Sequence, residues 1–378
     1  MIPRLLEKNV KEDLFESNKV VVIYGARQVG KTTLVRQVLN NFKGKVLEIN
    51  ADRTPYQEAF SSRDFAKLKG LVSGYDLIFL DEAQRIPDIG INLKILHDSM
   101  PGLKIVVTGS SSLDLANRVK EPLTGRTWTH QLYPISVEEW KQYSGINDFQ
   151  LGLQVEEWLR FGLYPEVVLT ENHKQKIRRL NELTTSYLYK DILTLGGIKF
   201  PEKLHQLLKL LAFQIGNLIS IHELSNTLQM HREAVLNYLQ LLEKNFVIFR
   251  LGGFSRNLRK EVVRMDKVFF YDLGIRNMLT GNFNSLVERR DGGHLWENFL
   301  LAERMKKKAY EPFYANTYFW RTYSGAELNY VEERDGRLFG FEFKWGNKKA
   351  KAPKTWLDTY ANASYQLVNR DNFLEFVT

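Results

Sequence analysis

The stretch "KVVVIYGARQVGKTTLVRQVLNNF", Lys19 to Phe42, decides how the start of the chain folds. It opens as an apolar, β-branched run and closes with apolar side chains at helical spacing. Between them "GARQVGKT", Gly25 to Thr32, fits G-x-x-x-x-G-K-[ST] in the strand–loop–helix context that gives this pattern its meaning. Gly25 and Gly30 let the backbone turn several N–H groups toward one anion, and the helix N-terminus adds its positive end. Gly25, Ala26, Arg27, Gln28, Val29, Gly30, Lys31, Thr32 and Thr33 are the expected phosphate cradle. Lys31 is expected to reach the β- and γ-phosphates of a nucleotide, and the Thr32 hydroxyl to ligate Mg²⁺.

A second motif answers the first. In "YDLIFLDEAQ", Tyr75 to Gln84, a buried strand ends in Asp81-Glu82 about 50 residues after the loop. Asp81 is placed to hold the Mg²⁺ shell, and Glu82 to polarise an attacking water. The glutamate argues for hydrolysis over nucleotide storage. "LKIVVTGSSS", Leu103 to Ser112, is a further strand whose Thr108 or Ser110 is a candidate γ-phosphate sensor; a strand ending in Thr and Ser is also ordinary loop chemistry. In "LTGRTWTHQL", Leu123 to Leu132, Arg126 is either an arginine finger for a neighbouring subunit's nucleotide or a surface arginine in a turn.

The runs "KVVVIYG", "KVLEIN", "YDLIFLD" and "LKIVVTGSS" alternate with amphipathic helical patterns, so an α/β fold with a parallel sheet and helices on both faces is expected. We divide the chain into an ATPase-type core at 1–133, a helical segment at 134–199, a module at 200–290 and an α/β block at 291–378. A length of 378 residues exceeds one compact core. No apolar run approaches the roughly 18 residues of a membrane span, and the charged N-terminus has no signal-peptide centre. The absence of cysteine removes disulfides and thiolate metal sites. A soluble cytoplasmic protein without membrane contact is the expectation. The net charge of +9 is unevenly spread: −1 over 1–171, +9 over 172–290 and +1 over 291–378. The middle third carries the whole excess, as a surface meeting phosphate backbones would, or a solvated basic face.

"GARQVGKT", "LIFLDEAQ", "VVTGSSS", "LTGRTWTHQLYPISVEEW" and "GLYPEV" together resemble the prokaryotic AAA-type P-loop ATPases of the archaeal-ATPase-like group. The likeness extends over essentially the whole chain. Such proteins carry a winged helix and a C-terminal domain of unknown function related to restriction-endonuclease folds. The resemblance implies ATP as the nucleotide; the residues alone do not separate it from GTP.

Residues 218–265 resemble the winged helix-turn-helix of that group. "SIHELSNTL" reads as a short helix capped by Ser220, "QM" as the turn and "HREAVLNYLQLLEKN" as a second helix. Val235, Leu239 and Leu242 share the inner face with Leu236 beside them, leaving His231, Arg232 and Asn237 outside. In a DNA-binding reading the second helix enters the major groove and Arg256, Arg259 and Lys260 meet phosphates. Winged helices also serve as protein-contact modules.

"GAELNYVEERDGRLFGFEFK", Gly325 to Lys344, reads as two strands turning at Asp335-Gly336. Glu327 and Asn329 share one face of the first, Glu342 and Lys344 one face of the second. It resembles the PD-(D/E)XK nuclease hairpin, with Glu297 of the preceding helix as a further acid. In that class carboxylates bind Mg²⁺, the metal activates water and the lysine assists. Asn329 stands where the pattern has an aspartate, and an amide oxygen carries no charge for a hard cation. The leading expectation is an ATPase whose nucleotide state controls a DNA-binding winged helix and a degenerate nuclease-like domain, possible as a homo-oligomer. The alternatives are an ATP-licensed metal-dependent DNA nuclease acting in defence, and a regulatory or assembly ATPase that binds proteins.

Overall fold

In a computed structural model, β1 (Val20–Tyr24), β2 (Val46–Asn50), β3 (Leu77–Asp81), β4 (Lys104–Gly109) and β5 (Thr127–Gln131) form a five-stranded sheet in the order β2-β3-β4-β1-β5. Every pairing in it is parallel. The structure describes residues 1–110, 123–185, 198, 200–256, 265–311, 313–346 and 350–378. These divide into two units, 1–135 with 244–246 and 136–243 with 247–378.

The first unit follows from its apolar runs. β1 is buried at every position and β3 at all but its last, the pattern of interior parallel strands covered on both faces. β2 and β5 lie at the edges and are only partly buried. β1 delivers the chain directly into the Gly25–Gly30 loop and the helix Lys31–Leu39. β3 delivers Asp81, and β4 ends beside it at Gly109. Loop, acid and hydroxyl residues thus meet at the carboxyl ends of neighbouring parallel strands, where open α/β sheets bind their ligands.

The second unit begins with helices. Ser136 and Glu139 form a reciprocal capping box at the start of Val137–Ser144. "GLYPEV" breaks the helical pattern because the backbone docks there: the Leu163 amide donates to Asp272 Oδ2 at 2.7 Å. A Cβ on Gly162 would lie 2.1 Å from Asp272 Oδ1, so only glycine fits. Asp272 also caps the helix Leu273–Thr280, and its burial raises its pKa against these donors. The helix Ile221–Leu228, capped by Ser220, a turn at Gln229 and the helix Arg232–Lys244 lead into a three-stranded antiparallel sheet. Its strands are β6 (Leu218–Ile219), β7 (Ile248–Leu251) and β8 (Asp266–Phe270). Val235, Tyr238, Leu239 and Leu242 face inward. Leu236, read as lying beside that stripe, is exposed, and the helical period brings Tyr238 into it.

A four-stranded mixed sheet, β12-β11-β10-β9, ends the chain. β9 (Asn316–Arg321), β10 (Glu327–Arg334) and β11 (Arg337–Phe343) are antiparallel, and β12 (Ala363–Val368) lies parallel to β11. The β10–β11 turn has positive φ at both Asp335 and Gly336, the geometry that matches strand twist in a two-residue hairpin. Phe254 joins the core of this sheet with Trp320, Leu328, Leu338, Trp356 and Tyr360. The helix Gly292–Tyr310 is pinned to β10 by a buried bidentate pair, Arg304 Nε and Nη2 to Glu332 at 2.7 and 2.9 Å. No described helix is long and apolar enough to cross a membrane.

Removing one member of a buried ion pair leaves the other uncompensated. Glu332→Ala is therefore expected to lower the unfolding free energy by ~3–5 kcal/mol, measured by denaturant titration against the wild type. A loss below ~1 kcal/mol, the value of an exposed pair, contradicts this account of how the helix is held.

Candidate functional sites

The phosphate loop is shaped by sterics and by carbonyl acceptors. A Cβ on Gly25 would stand 2.1 Å from the Leu132 carbonyl oxygen, so the loop can lie this close to the end of β5 only with glycine there. Gly30 has φ +99°, a left-handed conformation at the helix N-cap. Lys31 is buried, and its Nζ donates to the Gly25 and Ala26 carbonyls at 2.9 and 2.8 Å. Its ammonium is thus held against the loop by these two carbonyls. Arg4 braces the same loop from the N-terminus, donating to the Val29 and Tyr133 carbonyls, each at 2.6 Å. Arg27 is half-buried, while Gln28 and Thr33 are exposed, Gln28 with φ +60°.

At the end of β3 the Asp81 carboxylate accepts from two hydroxyls. Thr32 Oγ1 donates to Oδ2 at 2.9 Å, and Thr108 Oγ1 donates to Oδ1. Thr108 is fully buried, and its hydroxyl also accepts from the Glu82 amide at 3.4 Å. Glu82 sits at φ +56°, ψ +38°, a left-handed conformation that costs a non-glycine residue about 1–3 kcal/mol and clusters at functional sites. Gln84 Nε2 donates to Glu82 Oε2 and, at 2.9 Å, to Ser110 Oγ; the Ser110 amide donates back to Gln84 Oε1 at 3.3 Å. Gln84 therefore couples the two strand ends, a role its position two residues past the acid pair did not advertise. Arg126 is partly exposed and donates through Nε to Asp98 at 2.8 Å. His97 first, and Arg126 after it, hold the Asp98 carboxyl below its ordinary pKa.

In the second unit His231, Arg232 and Asn237 are all exposed, on the first turns of the helix Arg232–Lys244. Arg256 is paired with Glu333 at 2.9 Å and lies over the Phe254 ring. Arg259 and Lys260 lie outside the described residues.

Glu297, Glu327, Asn329, Glu342 and Lys344 come together around one cleft of about 270 Å³. Helix and hairpin therefore meet across it, with Gly216, His294 and Arg321 completing its walls. Lys344 Nζ pairs with Glu342 at 2.6 Å. Burial raises the Glu342 pKa, Lys344 opposes that, and Glu327 and Glu297 add to it. Asn329 Oδ1 accepts from the Phe343 amide at 2.9 Å, so its oxygen serves the strand pair. Sequence reasoning missed Lys267. From β8 its buried ammonium reaches Glu297 Oε1 at 3.0 Å and Glu327 Oε1 at 2.6 Å. Burial works against this charge, yet the two glutamates raise the lysine pKa above its ordinary value.

Comparison with known proteins places this geometry. The AAA domain family matches residues 17–141, which contain the loop, Asp81 and Glu82. Two families described as domains of unknown function, DUF8612 and DUF4143, match residues 152–286 and 292–376. The uncharacterized protein Rv2008c of Mycobacterium tuberculosis is 32% identical over 332 residues, covering 86% of this chain and 70% of that protein. The chain belongs to the same family as Rv2008c. The uncharacterized protein MJ1544 of Methanocaldococcus jannaschii is 27% identical over 307 residues, covering 77% of this chain and 67% of that one. Among solved structures, the Walker-type ATPase PABY2304 of Pyrococcus abyssi matches with a TM-score of 0.49 at 19% identity, covering 74% of this chain and 96% of that chain. The RuvB Holliday junction branch migration motor of Thermotoga maritima matches at 0.35 and 16% identity, over 65% and 88% of the two chains.

The first unit of this Rv2008c relative is a P-loop ATPase domain of AAA type, and its family binds nucleotide. The donor set at the carboxyl end of its sheet suits a hard cation: a hydroxyl on Thr32 and a carboxylate on Asp81, adjacent and oxygen-only. Among the described residues no group of three or more His, Cys, Asp or Glu is arranged to hold a metal ion.

Proposed function

We propose that the protein is an ATP hydrolase whose nucleotide state governs how its second unit engages double-stranded DNA. The observation that carries the ATPase part is the junction of Thr32, Thr108, Asp81 and Glu82 at the carboxyl ends of neighbouring strands. Lys31 leaves the Gly25 and Ala26 carbonyls and donates to the β- and γ-phosphates, with the loop amides of residues 25–33 around them. Thr32 and Asp81 would hold Mg²⁺, which would neutralise phosphate charge. Glu82, released from Gln84, accepts a proton from the water whose oxygen attacks the γ-phosphorus while the bond to the β-phosphate oxygen breaks. Thr108 and Ser110 report the γ-phosphate, since any shift of Asp81 or Gln84 moves them. Arg126, turned from Asp98, serves the nucleotide of a neighbouring copy in a homo-oligomer.

Three features support DNA as the partner. The net charge of residues 172–290 is +9. A helix–turn–helix with a following antiparallel sheet lies in that segment. Its second helix leaves His231, Arg232 and Asn237 facing solvent. In this winged-helix reading that helix enters the major groove, and Arg256, Arg259 and Lys260 approach phosphates.

Lys31→Ala is expected to abolish nucleotide binding, and Glu82→Gln to keep binding while slowing turnover by ~10²-fold or more. Equilibrium nucleotide binding and phosphate release decide both, and equal affinity in wild type and Lys31→Ala contradicts the assignment. For DNA, log affinity for a duplex is expected to fall linearly with log salt, and Arg256→Ala to make that slope shallower by about one. Absence of any salt-sensitive duplex binding points instead to a protein partner.

A further inference from the structure

The residues around the C-terminal cleft do not suit a divalent cation, for a reason the structure makes specific. A PD-(D/E)XK-like layout needs unshared carboxylate oxygens converging on a vacant point. Here Glu297 and Glu327 do converge, but on Lys267 Nζ, at 3.0 and 2.6 Å. The third acid, Glu342, is matched by Lys344 at 2.6 Å, and the second oxygen of Glu327 faces Arg321 at 3.8 Å. Three carboxylates are thus answered by three cations of the chain itself. The remaining candidate ligand, Asn329 Oδ1, is engaged by the Phe343 amide.

We propose that Lys267 is the resident cation of this cleft, standing between Glu297 and Glu327 where a nuclease-like centre would hold its metal, so that the cleft neither takes up Mg²⁺ or Mn²⁺ nor cuts nucleic acid. The lysine cannot readily step aside. It is 3% exposed, fixed on the buried strand β8, and its ammonium also lies over the Phe319 ring. Its departure would leave Glu297, itself 5% exposed, as a buried charge without a partner. The same arithmetic gives a positive expectation. Once the ammonium is gone, the Glu297 and Glu327 oxygens that face it are left converging on one point, an all-oxygen pair that a hard cation would satisfy.

The test is thermal unfolding of nucleotide-free protein with and without Mn²⁺, for wild type, Lys267→Ala and Lys267→Ala/Glu297→Gln. The proposal expects no Glu297-dependent Mn²⁺ effect on the wild type. It expects a lowered Tm in Lys267→Ala that Mn²⁺ restores by several degrees, and no such rescue in the double variant. A folded Lys267→Ala that ignores Mn²⁺ overturns it. Should Lys267→Ala not fold, the wild type still decides. Mn²⁺ stabilisation lost in Glu297→Gln, or plasmid nicking lost in Glu342→Ala, overturns the proposal; an intact plasmid and a Tm indifferent to Mn²⁺ uphold it.

Discussion

A carboxylate withdrawn from water must be met by donors or by a cation, and both units are organised around that demand. They meet it in opposite ways. Asp81 is satisfied by two neutral hydroxyls, Thr32 and Thr108. Two neutral hydroxyls do not cancel its charge, so the site can still accept a cation arriving with a nucleotide. Glu297 and Glu327 are satisfied by the ammonium of Lys267. Their charge is already spent, and in this account the cleft is complete without a metal. Carboxylates thus make, in this account, an open site in one unit and a closed one in the other.

The open site connects to the rest of its sheet through short side-chain links. Asp81 binds Thr108 on the neighbouring strand, and Gln84 joins Glu82 to Ser110. In the proposed reading, a change at the phosphate position has a route into the end of β4 through these links. The left-handed backbone at Glu82 fits this picture, because the carboxylate is aimed by the strained turn and by Gln84 together.

How much of this the sequence disclosed depended on how local each feature is. The parallel sheet was legible in its apolar runs, because interior strands must be apolar on both faces. The loop and Asp81-Glu82 were legible because each packs its chemistry into a few consecutive residues after a strand. Strand alternation was enough to group Glu327 with Asn329 and Glu342 with Lys344, and the structure brings all four to one cleft with Glu297. Lys267 was not legible: sixty residues separate it from Glu327, and an isolated lysine in an apolar strand carries no sign of its partner. Arg4 escaped for the same reason, its two acceptors lying 25 and 129 residues away. Tyr238 was left out of the inner stripe although the helical period places it near Val235 and Leu242, because its hydroxyl reads as a surface group.

The measurement that bears most directly on this contrast is a Mn²⁺ titration of the full chain followed by electron paramagnetic resonance, with and without a slowly hydrolysed ATP analogue. The account predicts a single bound Mn²⁺ per chain, present only with nucleotide and lost in Asp81→Asn. A second, nucleotide-independent Mn²⁺ that disappears in Glu297→Gln would contradict it, since the cleft would then be a metal site despite Lys267.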